Sequence, residues 1–453
     1  MEKLFKLKEN GTDVRTEVLA GITTFMTMAY ILAINPSMLS AAGMDATAVL
    51  IATCLSAFFG TMCMALFANY PFALAPGMGL NAYFAYTVCL GMGYDWRVAL
   101  SAVAVEGIIF IVLSLTNVRE AIFNAIPSML KKGVSAGIGL YIAFIGLQGA
   151  HIVVNSDSTL ITYVSFRSKF GTEGICALLA LIGLFLTAIL YARNVKGSIL
   201  IGIIATWVLG MLCQAVGIYQ VTPEEGFYSL YPSLAITDFS KFSLTFGQVF
   251  KADFSGVSIS NFIAILFAFL FVDMFDTIGT LVGVATKADM LDKDEKLPRI
   301  KQALFADAIA TLVGAIFGTS TTTTYVESSA GVGAGARTGL ASVVTGLMFL
   351  LAIFFAPIFT AIPGFATAPA LVIVGFYMMG SALKIDFSDP SEGIPAFLTI
   401  LAMPTAYSIS EGIAIGVISW TIVNVVTGKA KEKKISPLMY VLTVLFILKY
   451  VLL

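Results

Sequence analysis

Asp273 and Asp276 stand three residues apart inside the apolar run NFIAILFAFLFVDMFDTIGTLVG, so both project from one face of a helix. An ionisable group in such surroundings is costly unless it meets a cavity or a partner, which makes it a functional candidate. No Lys or Arg lies nearby in the chain. A carboxyl there can accept N–H donors from a polar ligand, and it can take up and release a proton, because a low dielectric favours its neutral form. Glu327 is the third such group, within GTSTTTTYVESSAGVGAGARTG at 318–339. Asn81, in NYPFALAPGMGLNAYFAY at 69–86, is its neutral counterpart in the first half of the chain. Thr27 shares one broad face of the first apolar run with Thr23, Thr24 and Tyr30 and is its substrate-side residue. Each has a structural alternative. The aspartates could clamp two helices, Glu327 could cap a surface helix, Asn81 could bond a neighbouring helix, and Thr27 could simply pack.

The surroundings of Glu327 and Asn81 decide what must position them. Both stretches lie between apolar runs and are rich in Gly, Ala, Thr and Pro. Loose backbone at membrane depth survives only when protein or a cavity covers it. Thr-Tyr-Val favours extended chain, and Glu-Ser-Ser-Ala-Gly suits the first turn of a helix, where a carboxylate is welcome. An extended piece followed by a half-helix near the midplane is how many secondary transporters build a substrate site. A polar loop outside the membrane is the competing reading of 318–339.

Composition places the chain in a membrane. Of its 453 residues 58% are hydrophobic and only 12% charged, with mean hydropathy +0.93, against roughly 25% charged in soluble domains. Long apolar runs predict an all-α polytopic protein and exclude a porin-type barrel of short alternating strands. The N-terminal stretch lacks a cleavable signal pattern, so the first span directs insertion. The runs fit about fourteen spans, of which the third and tenth are short and broken; the tail 436–453 is a further span or an interfacial segment. With the N-terminus in the cytoplasm, twenty of the 26 Lys and Arg fall inside, five outside and one in the tail, as the positive-inside rule requires. The polar link 218–258 is then extracellular and divides the chain into halves of seven spans. An odd number per half makes the halves inverted repeats, with the two breaks in corresponding places.

The remaining candidates look structural. His151 ends the fifth span, Glu106 and Glu411 are buried-charge candidates, and Arg337 anchors the end of the tenth segment. Residues 287–301 form a solvated loop. Cys54, Cys63, Cys89, Cys176 and Cys213 have no metal-ligand spacing and read as small packing residues. Phosphate loops, zinc spacings and Ser/His/Asp arrangements are missing from the sequence, so no cofactor, metal, nucleic acid or ATP motor is implied.

LAPGMGLNAYFAY, FVDMFDTIGTLVGVATKADMLDK and TSTTTTYVESSAGVGAGARTGL, with GFATAPALVIVGFYMMGSALKIDF, resemble signature stretches of the azaguanine-type purine permeases, a branch of the xanthine–uracil permease superfamily. The similarity runs over essentially the whole chain. It implies a core domain from 1–118 and 259–360 and a gate domain from 119–217 and 361–453. It further implies inward carriage of purine bases with protons, base contacts at Asp273 and Glu327, sensitive positions at Asp276 and Asn81, and dimerisation through the gate. Residues and resemblance together predict a proton-coupled importer of hypoxanthine and guanine in the plasma membrane, working by an elevator-like motion. Asp276, Glu327 and Asp273 would share the proton. The alternatives are an adenine, xanthine or uracil symporter, an anion transporter of the same fold, which would want Arg or Lys at the breaks, and a passive channel, which would need a continuous polar stripe.

Overall fold

A computed structural model describes residues 2–115, 127–156, 158–167, 169–195, 197–232, 235–287, 290 and 297–452. Arg119, Lys196, Lys293, Lys296, the boundary at 118/119 and most of the loop 287–301 lie outside the described residues.

The first apolar run forms two helices, α1 (Val14–Met28) and α2 (Ile31–Ser40), where the sequence reading expects one. Asp13 caps α1 by accepting from the Thr16 N–H. Pro36 removes the N–H that would bond Leu32 and so loosens the turn just after the break. Helix α3 (Ala46–Cys63), capped by Asp45, runs on through wider π turns to Ala68 and stops at Asn69, which is left-handed at φ 51°. Strand β1 (Leu74–Pro76) leads into α4 (Met78–Ala82), which continues as a π-type helix to Gly91. Next come α5 (Trp96–Leu115) and α6 (Ser128–Gly149), a hairpin of β2 (Val153–Ser156) and β3 (Leu160–Tyr163), α7 (Ile175–Ala192) and α8 (Ser198–Ala215).

The second half repeats the plan. Helix α9 (Ile259–Lys287) and α10 (Ile300–Phe317) precede β4 (Thr322–Thr324) and α11 (Ser328–Gly333). Then follow α12 (Gly339–Ala352), α13 (Gly364–Met379), α14 (Pro390–Thr405), α15 (Ile409–Val426) and α16 (Pro437–Leu452). Among the described residues nine helical stretches are long and apolar enough to cross a membrane by themselves. The acidic α9, the two broken segments, α14 and α15 complete fourteen.

Helix α10 packs on α5 and α3, and α12 packs on α1 and α3. Helix α13 lies along α6 and α7, and α14 along α15 and α6. Small residues bring these backbones together: a Cβ added at Gly375 would stand 2.4 Å from the Gly139 carbonyl oxygen. The described parts of the link 218–258 pack against this body at two points. Gly247 donates to the Ile316 carbonyl at 2.8 Å, and Thr237 to that of Ile353 at 2.7 Å. Cys54, Cys63, Cys89 and Cys176 are buried, Cys213 is half-buried, and all are free thiols.

Candidate functional site

Strands β1 and β4 lie side by side and antiparallel, Leu74 opposite Thr324, Ala75 opposite Thr323 and Pro76 opposite Thr322. The ladder extends at both ends, from Tyr325 N–H to the Ala73 carbonyl at 2.9 Å and from Gly77 N–H to the Thr321 carbonyl at 3.0 Å. Each break therefore satisfies the other's backbone, as lipid cannot. Hydroxyls take up further groups. Thr311 donates to the Thr322 carbonyl at 3.0 Å, and Thr61 accepts from Leu74 N–H at 2.9 Å.

Three wholly buried side chains of the first repeat grip three successive residues before β4. Asn35 on α2 donates to Thr319 at 2.9 Å, Ser320 donates to Asn81 Oδ1, and Thr321 donates to Glu106 at 2.7 Å. Asn81 Nδ2 makes no hydrogen bond among the described residues.

Helix α9 brings its acids against this pair. Asp273 is fully buried, and its Oδ1 lies 2.8 Å from Thr277 Oγ1. The same hydroxyl is 2.6 Å from Thr323 Oγ1 and 3.1 Å from Asp307 Oδ2; with one proton, it donates to one of them at a time. Asp307, on α10, also accepts the Thr324 N–H at 3.2 Å. Asp276 sits one turn beyond Asp273 and is only half-buried. Its Oδ2 would be 3.6 Å from a Cβ added at Gly77, and Thr323 Cγ2 would be 2.8 Å from it, so the bare backbone at Gly77 is what leaves room there.

Glu327 is half-buried beside the exposed Val326 and interacts electrostatically with Asp276. It stands at the N-cap of α11 but makes no side-chain capping bond. Instead its Oε1 accepts from the Tyr30 hydroxyl. Thr27 Oγ1 lies 3.5 Å from the Glu327 carbonyl oxygen and bonds chiefly within its own helix, to the Thr24 carbonyl at 2.8 Å. Tyr325 donates to the Pro76 carbonyl at 2.5 Å.

The structure thus gathers Asp273, Asp276 and Glu327 around the crossed strands, places Thr27 at their edge, and puts Asn81 behind the strands as a hook on the second break. Asp307 and Glu17 were missed by the sequence reading. Asp307 carries the same signal as Asp273, a carboxylate inside an apolar run. Glu17 is buried on α1 and accepts from the backbone of Arg337 at 2.7 Å and of Ala341 at 3.1 Å, which orders the start of α12. Arg337 donates to the carbonyls of Val332 and Ala336 at the end of α11. Glu411 accepts from Tyr450, and His151 lies beside Phe227 in the turn after α6.

Toward the far end of α4, Tyr407 packs edge-on against the rings of Tyr86, Tyr141 and Phe144, at 6.2, 5.4 and 6.1 Å. A cavity of about 40 Å³ between α2, α6 and α13, lined by Ser37, Tyr86, Gly146 and Thr367, lies near this cluster. A wider cleft of about 550 Å³ opens between Tyr94, Arg97 and Lys251.

The profile of the xanthine/uracil permease family, described as a permease family, matches residues 15–415. A guanine/hypoxanthine permease of Bacillus subtilis is 45% identical, covering 100% of this chain and 99% of its own length. An adenine permease of Escherichia coli is 41% identical, over 100% and 96%. A putative permease of Methanocaldococcus jannaschii is 51% identical, over 100% and 98%. Among solved structures, the transmembrane domain of a cyanobacterial bicarbonate transporter shares the fold with TM-score 0.62 at 15% identity, covering 89% of this chain and 97% of that one.

Proposed function

The chain belongs to the xanthine/uracil permease family of membrane transporters, and from that premise we propose that it imports purine nucleobases, hypoxanthine and guanine foremost, in symport with protons. The observation that carries the proposal is the pair of partly exposed carboxylates, Asp276 and Glu327, at the crossing of two broken segments. A 6-oxopurine offers N1–H as a donor, and guanine adds an amino group beside it. An ionised carboxylate accepts such donors side by side. Glu327 takes that edge of the base. Asp273 meets the imidazole side from the floor of the site, while Thr27 and Asn81 support the wall. Asp276 exchanges protons together with Glu327 and Asp273.

The proposed movement is elevator-like. The spans carrying the breaks, 1–118 and 259–360, form a core that slides past a gate of 119–217 and 361–453, which also supplies a homodimer contact. The bias of Lys and Arg supports a cytoplasmic N-terminus, and membership of a permease family with bacterial relatives supports the plasma membrane. The Tyr86–Tyr141–Tyr407 cluster then closes the outer side.

A second reading, adenine as substrate, has the adenine permease of Escherichia coli in its favour. Uptake of radiolabelled hypoxanthine in permease-deficient cells separates them. Competition by guanine exceeding that by adenine and uracil is expected, with accumulation abolished by a protonophore and unaffected when choline replaces sodium. Preferential competition by adenine, or sodium dependence with protonophore resistance, would overturn the corresponding part.

A further inference from the structure

We infer that Tyr30 is the residue that positions the Glu327 carboxylate for its ligand; the inference rests on the reading of Glu327 as the base-contacting acid. Tyr30 occupies the interruption between α1 and α2, is completely buried, and donates its hydroxyl to Glu327 Oε1. Helix α1 and the half-helix α11 are held in register beside it. A Cβ added at Gly331 would stand 2.0 Å from Thr24 Oγ1 and 2.8 Å from the Ala20 carbonyl oxygen, so the two backbones cannot drift apart or slide without losing that fit. The carboxylate is not tied to its own helix terminus. Its direction is therefore set from the first repeat.

A phenol engages one carboxylate oxygen and leaves Oε2 for an incoming N–H. Holding the long Glu side chain in one rotamer also removes ordering that a ligand would otherwise impose. A donor to the charged form favours that form. The other titratable groups facing Glu327 are Asp276 from α9, Tyr325 from its own stretch and Tyr377 from α13. None of these supplies a positive charge, so among the described residues the Tyr30 hydroxyl is the side-chain donor that compensates the anion, beside the backbone N–H of Glu327 itself.

The test is Tyr30→Phe in the full-length protein, with uptake normalised to the amount in the membrane. The expected KM for hypoxanthine rises about tenfold, as for loss of a charge-assisted hydrogen bond, while Vmax changes little. The acid limb of the pH profile moves to higher pH, because the ionised form has lost its donor. Fluorotyrosine at position 30 keeps the shape and makes a stronger donor, so the limb moves the opposite way, which also covers the case of a poorly inserted Phe variant. In a Glu327→Gln background, Tyr30→Phe adds little. Unchanged KM and pH profile in Tyr30→Phe, with Glu327→Gln inactive, would overturn the role of Tyr30 alone. Wild-type uptake by Glu327→Gln would remove the site reading beneath it as well.

Discussion

In the first repeat the break runs from Leu74 through Ala82, and every residue along it is buried. In the second it runs from Thr322 through Gly333, with Val326 exposed and Glu327 half-buried. Both breaks have an extended piece of three residues and a short helix, and each pairs with the other. Their side chains divide the labour. Asn81 turns inward and accepts from Ser320, which fixes the partner strand. Glu327 is half-buried and accepts from Tyr30, and the half-buried Asp276 of α9 interacts with it electrostatically. Symmetry supplies a crossing point that the membrane tolerates, and departure from symmetry puts the acids on one side of it.

The most severe way to break that contrast is Glu327→Gln. The amide keeps the shape but brings a donor to where donors are received. Hypoxanthine and guanine should lose about 2–4 kcal/mol of binding, because their N–H groups meet no anion. Adenine, with an acceptor at N1, should lose less. Inhibition of residual uptake by each base reads this directly, and equal losses for all three would assign Glu327 to proton coupling or folding.

Asn81→Ala probes the other break. Ser320 loses its acceptor in a buried place, at a cost of about 1–3 kcal/mol in stability. Thermal melting in detergent should fall and KM should rise modestly, while the pH profile of uptake stays where it was. A displaced pH profile would make the first break as chemical as the second, and the contrast would fail.

The smallest effect is expected at a carboxylate outside both breaks. Asp389 caps α14 and is bonded by Lys433 at 2.9 Å, Ser391 at 2.7 Å and Lys429 at 3.0 Å. These partners, Lys433 first, hold its carboxyl well below the usual carboxylate range. A depressed folded-state value means that the stabilisation is present above the ordinary value of about 4. It is lost only as pH falls below that toward the folded-state value. Asp389→Asn should therefore melt slightly below wild type at neutral pH and at pH 5, and the two should converge only in strong acid. Convergence already near pH 6 would show that the lysines do not hold Asp389 in this way.

Much of this was legible because lipid imposes strict rules. Loose, polar chain between apolar runs had to be covered, which identified both breaks, and acids inside an apolar helix had to have a use, which identified Asp273 and Asp276. The same rule would have found Asp307 in FADAIA. What the sequence could not reveal was partnership. Nothing local says that Leu74–Pro76 pairs with Thr322–Thr324, or that Asn35, Asn81 and Glu106 grip three consecutive residues of the other repeat. Tyr30 shares its face with Thr23, Thr24 and Thr27, of which the sequence singles out only Thr27, and no Gly or Pro at 29–30 announces the interruption. Glu17 looks like an acid in the first turn of a helix, where it is ordinary, yet it serves the start of α12.

The strand pair also constrains how the protein is made. Leu74–Pro76 leaves the ribosome long before Thr322–Thr324 exists. During that interval its backbone groups have no strand to bond and no water at membrane depth. The first half must wait at the insertion machinery, or at the water-facing surface, until the second half arrives to complete it. Neither half is then a finished module during biogenesis, and the pairing of β1 with β4 is the step at which two unfinished bundles become one transporter.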